Sequence, residues 1–460
     1  MGDFLNFIQQ ILSTPSLLVG AIALIGLISQ GKAIEDVIKG TIKTILGFIV
    51  IGSGAGILVG ALNYFGELFN FAFGVQGVVP NNEAIVSLAL NDYASSTALI
   101  MAFGMFANII IARFSRLKYI FLTGHHTLYM AALIAVVLTV GGLKGWQLIL
   151  SGSCVLGFTM VFFPALAQKT MEKITGDDSI AFAHFGTLGY VFSAWLGSKF
   201  GNKSKSTEDI KFPKRLSFMR DTSVAIALTM FLFFMIVTFI ATTHADFDPA
   251  MIGGNNWFLF SIIQALTFAG GVYIVLAGVR LLIAEIVPAF KGFSEKIVPD
   301  AKPALDCPIV FPFAENAVLL GFLVSFAGGL AGLSILVLMG GSLALILPGV
   351  IPHFFCGATA GVFGNATGGR RGAILGAFGH GLLITFLPAF LMPVLGSLGF
   401  ANTTFSDADF TAVGIVLGNI ARVMQGYGLM AICIALPMIP ILYNIFYPQK
   451  SNTPAANKGC

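Results

Sequence analysis

Apolar residues run along this chain in blocks long enough to cross a bilayer, which takes about 20 residues of helix. Their edges predict spans at roughly 16–31, 40–63, 84–113, 118–140, 146–168, 221–243, 257–285, 307–340, 343–366, 373–396 and 411–446. Two blocks, 84–113 and 307–340, are overlong for one straight crossing. Each carries polar residues near its start, NDYASST at 91–97 and DCPIVFPFAEN at 306–316, so each is expected to break there. A further apolar stretch, SIAFAHFGTLGYVFSAWLG at 179–197, is flanked by basic residues on both sides. It is expected to be re-entrant, which requires a backbone shielded from lipid; an ordinary twelfth span is the alternative.

The pattern repeats. Segments 126–148 and 353–375 align without a gap at His126/His353, Ala131/Ala358, Gly141/Gly368, Gly142/Gly369, Gly145/Gly372 and Leu148/Leu375. Val79-Pro80 precedes the first overlong block as Val298-Pro299 precedes the second, and Ala94-Ser95-Ser96 lies opposite Ala314-Glu315-Asn316. Interrupted apolar segments at matching places in two halves point to a transporter's binding site. The division is repeat one over 16–168, the re-entrant segment, repeat two over 221–396 and a final long helix over 411–446. All belong to one integral membrane domain, 1–450, with a tail at 451–460.

Charge orients these blocks. Lys32, Lys39, Lys43, Arg113, Arg116, Lys118, Lys169, Lys173, the 199–220 and 291–302 loops, Arg370, Arg371 and Lys450 fall on one side. Cytoplasmic loops are enriched in Lys and Arg, so that side is inside. The N-terminus, the 64–82 loop, HADFDPA at 244–250 and SDADF at 406–410 fall outside, with Lys144 dissenting. The two histidine segments then run in opposite directions, so the repeat is inverted.

Composition agrees: 57% of the 460 residues are hydrophobic and 10% charged, against about 25% charged in soluble domains. The expected fold class is an all-α polytopic membrane protein with about eleven spans. A net charge of +4 gives no reason to expect a nucleic-acid partner. The five cysteines show no paired spacing, which argues against disulfides or a zinc site. The first residues lack a basic signal-peptide region. Walker A, GxSxG and HExxH patterns are missing, so no catalytic residue, metal or cofactor is expected.

The polar residues at membrane depth are Asp92, Tyr93, Ser95, His125, His126, His184, Thr187, Asp306, Glu315, Asn316, His353, Asn365, Thr367 and His380. Such residues are costly in lipid and mark a substrate path. Their types suit a small, hydroxyl-rich and anionic molecule: carboxylates and amides accept or donate to hydroxyls, and histidine donates to an oxyanion. Asp306 is readable equally as a helix cap, His380 as a packing residue, and Arg280, Glu285 and Arg422 as side chains near helix ends that snorkel or pair. Gly-rich GSGAG at 52–56 is read as helix packing.

Four strings in register, LTGHHTLYMA (122–131), AHFGT (183–187), DCPIVFPFAENAV (306–318) and IPHFFCGATAGVFGN (351–365), resemble the ascorbate-specific enzyme IIC of the bacterial phosphotransferase system. The resemblance covers essentially the whole chain, including EDIKFPKRLSFMRD at 208–221. It implies a homodimer in the bacterial inner membrane, with a substrate-holding core and a V-shaped pair of long helices at the dimer interface. It also implies import of L-ascorbate with phosphorylation to ascorbate 6-phosphate. The phosphoryl group would come from a phosphocysteine on a separate IIB protein charged by IIA; Cys307 is read as packing. The implied substrate lining is Tyr93, Ala94, Ser95, His126, His184, Thr187, Asp306, Glu315, Asn316 and His353. The resemblance leaves as an alternative a permease of the same system for a polyol such as galactitol, whose family is related; the residues themselves leave a proton- or sodium-coupled carrier of an organic anion and a channel.

Overall fold

The computed structural model describes residues 15–74, 77–210, 222–340 and 343–446, and these are mostly helical. The first half runs α1 (Pro15–Ser29), α2 (Ile34–Phe73), β1 (Gly77–Pro80), α3 (Asn82–Phe114), β2 (Tyr119–Phe121), α4 (Gly124–Val140), α5 (Gly145–Thr175), β3 (Ala181–Phe182) and α6 (Thr187–Phe200). The second runs α7 (Thr222–Thr242), α8 (Trp257–Ile297), β4 (Lys302–Leu305), α9 (Glu315–Leu338), β5 (Leu345–Ile346), α10 (Ala358–Leu391), β6 (Thr403–Thr404), α11 (Ala408–Val423) and α12 (Tyr427–Phe446). Among the described residues seven helices are long and apolar enough to cross a membrane, including α2, α3, α5, α9 and α12. This is a multi-pass membrane protein.

The longest helices are α2 and α8, of 40 and 41 residues. At 1.5 Å per residue each reaches about 60 Å, twice the hydrocarbon thickness of about 30 Å. No proline interrupts α2; Glu35 and Asp36 suit its N-terminal dipole, and Gly74 ends it in the left-handed region with its N–H on the Asn70 carbonyl. The two pack along each other and against α7. Leu58, Phe65 and Leu68 meet Phe234, Phe268 and Val272 in a buried apolar seam, with the rings of Phe65 and Phe234 edge to face at 5.3 Å.

Two expected breaks come out differently. The 84–113 block does not break at 91–97: α3 passes through it without interruption. That stretch holds neither Pro nor Gly, and its polar Asn91 and Asp92 simply face outward. The 307–340 block does break. A 3-10 turn, Cys307–Phe313, ends at Ala314 (φ −158, ψ 71) before α9 begins, and Pro312 has no N–H to continue the turn. The single helix expected over 411–446 is two helices, parted at Met424–Gly426, where Gly426 has φ +56.

Two helical hairpins occupy the core. Gly142 (φ +88) and Gly145 (φ +52) turn α4 into α5. A π-turn, His353–Gly357, opens the other, and α10 folds back on itself at Gly368 and Gly369. A Cβ on Gly364 would lie 2.5 Å from the Gly372 carbonyl oxygen, whereas eight residues of straight helix span about 12 Å. Between the hairpins lie α6, of 14 residues, and α11, of 16. At about 21 and 24 Å both fall short of the bilayer.

The strands form two three-stranded parallel sheets, ordered β5-β1-β6 and β2-β4-β3. In each, a central strand from one half is flanked by two strands from the other. Outside the spans, Asp178 accepts from Lys302 of β4 and from Gln168 at 2.7 Å. The Lys302 bond, then the Gln168 bond, hold its carboxyl below the usual carboxylate range.

Candidate functional site

Parallel strands bring their carboxyl ends to one place, the reason ligands of such sheets collect beyond those ends. In the β2-β4-β3 sheet, Phe121 pairs with Ala304 and Phe182 with Leu305. The chain beyond each end supplies His125 and His126, Asp306, and His184 respectively. In the other sheet the chain beyond β1 supplies Asn82, and beyond β6 Ser406, Asp407 and Asp409. The two groups meet.

The rings of His126 and His184 lie 3.8 Å apart, and His126 stacks on Phe410 at 5.4 Å. His126 Nδ1 accepts the Phe185 N–H at 3.3 Å, and His184 Nδ1 shares a 2.8 Å hydrogen bond with the Tyr190 hydroxyl. Asp407 Oδ2 stands 3.8 Å from His184 Nδ1. Its Oδ1 accepts from Asn82 Nδ2 at 2.8 Å and from the Ser406 hydroxyl at 2.6 Å. Asp306 Oδ1 caps the Cys307 N–H at 2.7 Å, while Oδ2 faces His125 Nε2 at 3.4 Å. That last pair, 21% and 34% exposed, is the open edge of a cluster whose remaining members are buried.

A model of the family described as PTS system sugar-specific permease component matches residues 10–409. This chain belongs to that family. It is also similar to the "Ascorbate-specific PTS system EIIC component" of Mycoplasma pneumoniae, 29% identical over 426 residues. That match takes in 80% of this chain and 63% of the relative's length.

Of the residues expected to line a site in this permease component, His126, His184, Thr187 and Asp306 come together. Thr187 opens α6, its hydroxyl on the His184 carbonyl at 2.8 Å. His353 lies in a second buried polar group: its Nδ1 meets the Ser325 hydroxyl at 2.8 Å, and His380 Nδ1 meets the same hydroxyl at 3.3 Å. Gly329 makes the room, since a Cβ there would sit 2.5 Å from His353 Nε2. Tyr190 stacks on His380 at 5.8 Å and so links the two groups. His380, read as plain packing, is buried in this network, with Nε2 unpartnered among the described residues.

The others lie apart. Tyr93, Ala94 and Ser95 sit mid-way along α3, with no hydrogen bond to the histidines among the described residues. Glu315 is exposed at the start of α9. Asn316 donates its amide to the carbonyls of Ile210 at 2.8 Å and Thr207 at 3.3 Å.

The SDADF segment, expected as an acidic outer loop, is core: Asp407 is 2% exposed and Asp409 0%. Asp409 accepts the N–H groups of Thr187 at 2.9 Å and Leu188 at 2.8 Å, capping α6 from α11. Loop charge gives no hint of this. The signal that finds these acids is the correspondence of Phe182-Ala183-His184 with Phe405-Ser406-Asp407, each string running from its strand into a short helix.

His126, His184 and Asp407 place their donor atoms within 4.8 Å of one another, a set able to hold a divalent cation. Both Nδ1 atoms are engaged by protein partners, and among the described residues neither Nε2 has a hydrogen-bond partner, so each can meet an external ligand. A cavity of about 460 Å³ between α7 and α8, beside Phe355, is lined mainly by apolar side chains and holds none of these groups.

Proposed function

We propose that this permease component carries L-ascorbate across the bacterial inner membrane and presents it for phosphorylation to ascorbate 6-phosphate. The donor is a phosphocysteine on a separate IIB protein, recharged by IIA. The supporting observation is the cluster of buried His126, His184 and Asp407, with partly exposed Asp306 at its open edge, where the two sheets meet. Ascorbate is a monoanion with side-chain hydroxyls. The free Nε2 atoms suit the enolate, and carboxylates suit the hydroxyls. The relative named for ascorbate supports the same substrate.

His126, His184, Thr187 and Asp306 are the centre of the proposed lining. Tyr93, Ala94 and Ser95 of α3, His353 of the π-turn, and Glu315 with Asn316 complete it. Asn316 joins only when its loop bonds open.

The architecture fits two inverted repeats. Corresponding strands β1/β4, β2/β5 and β3/β6 lie about 225 residues apart, and both hairpins start at a matched histidine and turn at matched glycines. Loop charge supports an outer N-terminus and a cytoplasmic C-terminus, and the paired long helices α2 and α8 suit a homodimer scaffold.

The test is uptake of labelled ascorbate by cells with and without the partner IIB, followed by identification of the intracellular product. Ascorbate 6-phosphate formed only with IIB is expected. Free ascorbate accumulating without IIB, and abolished by an uncoupler, would favour ion-coupled transport; competition by galactitol would favour a polyol.

A further inference from the structure

Loop 201–210 and the tip of the α10 hairpin are locked together by their backbones. Asn202 donates its N–H to the Gly368 carbonyl at 2.8 Å, and Arg370 donates to the Lys205 carbonyl at 2.7 Å. Gly369 makes this possible, since its φ is +59 and a Cβ would lie 2.3 Å from the Asn202 oxygen. The interlock gathers five cations. Lys199, Lys203, Lys205 and Arg371 are exposed, and Arg370 is half-buried.

Among the described residues Glu208 and Asp209 make no ion pair with these cations, and their carboxylates are held by backbone N–H groups. Glu208 accepts the N–H groups of Asn316 and Ala317, both at 3.1 Å, and so caps α9. Asp209 closes a capping box onto Ser206 at 2.9 Å. Asn365 accepts the Thr207 N–H at 3.0 Å, so the loop is also anchored to the first arm of the hairpin. Five like charges fixed on a braced surface repel one another and favour an anionic partner.

We propose that this basic knuckle, Lys199, Lys203, Lys205, Arg370 and Arg371, is the docking surface for the phosphorylated carrier protein. The inference rests on the phosphoryl-dependent reading above. The carrier's phosphoryl group brings roughly two negative charges, and loop charge places the knuckle on the carrier's side of the membrane. The same loop holds Asn316 at the start of α9, beside the break that follows Asp306. Docking therefore bears directly on the edge of the cluster that is already open.

The experiment uses the full chain in liposomes, with purified phosphorylated IIB supplied to the knuckle side. The triple variant Lys203→Glu, Lys205→Glu, Arg371→Glu is compared with Lys203→Arg, Lys205→Arg, Arg371→Lys. The charge-reversed protein is expected to bind ascorbate normally while its KM for IIB rises at least about tenfold and kcat changes little. The conservative variant and low salt should both keep KM low. A charge-reversed KM within twofold of the unaltered protein overturns the proposal. So does a defect that disappears in vesicles lacking anionic lipid, because the cations would then serve lipid head groups. If the unaltered permease forms no ascorbate phosphate from phosphorylated IIB, the functional reading fails first and the surface with it.

Discussion

Two imidazoles 3.8 Å apart in a buried site cannot both be cationic at little cost, because like charges disfavour each other. Asp407 completes the group, with Oδ2 3.8 Å from His184 Nδ1 and a donor atom within 4.8 Å of both rings. Replacing Asp407 by Asn keeps the volume and a hydrogen-bonding group for Asn82 but removes the charge. Ascorbate affinity is then expected to fall at least about tenfold, as it should for His126→Ala, when measured by equilibrium binding of labelled ascorbate. Unchanged affinity in both variants would remove the cluster from the substrate site. Asp409 works differently, since its carboxylate is spent on two α6 N–H groups. Asp409→Ala is expected to cost about 1–3 kcal/mol of stability, read as earlier unfolding in detergent. The histidines were legible as candidates because lipid makes them expensive wherever they lack a purpose. The two aspartates were not, since an acidic pair between apolar blocks reads as a loop until its burial is seen.

At the scale of elements, hydropathy found the helices but not their ends. Polar residues at 91–97 looked like a break, yet no Pro or Gly interrupts the helix hydrogen bonds there, and Asn91 and Asp92 are carried on its exposed face. Pro312 supplies such an interruption, and the 307–340 block divides. The strands, of two to four residues, are too short to show alternation. The hairpin turns rest on glycine for different reasons. Gly142 needs only its positive φ, with open space around it, so Gly142→Ala should cost about 1–2 kcal/mol. Gly369 combines φ +59 with ψ −156 and contact with the Asn202 carbonyl, a conformation essentially reserved for glycine. Gly369→Ala is expected to lower the yield of monodisperse protein in fluorescence size-exclusion chromatography well below that of Gly142→Ala.

Across the whole molecule, the exchange of strands between halves means that the candidate site draws residues from both. Neither sheet forms from one half, and the His184–Asp407 contact joins the ends of strands from different halves. The inverted reading puts the two hairpin tips on opposite faces of the membrane. A membrane-impermeant thiol reagent is therefore expected to label Lys144→Cys in intact cells, and Arg371→Cys only after permeabilisation. Labelling of both from the same side would show that the halves are not inverted.

Sequence by itself determined the membrane class, the blocks that become helices, the matched histidines and glycines, and the resemblance carried by four strings. Those properties are local: apolar length sets whether a segment partitions into lipid, and a short string keeps its identity wherever it folds. Tertiary structure alone decided which polar residues meet. His126, His184 and Asp306 are far apart in the chain and converge because three parallel strands end side by side. Asp407 joins them because the second sheet ends against the first. Asn316 is drawn to the 201–210 loop instead, because that loop offers carbonyls its amide can satisfy.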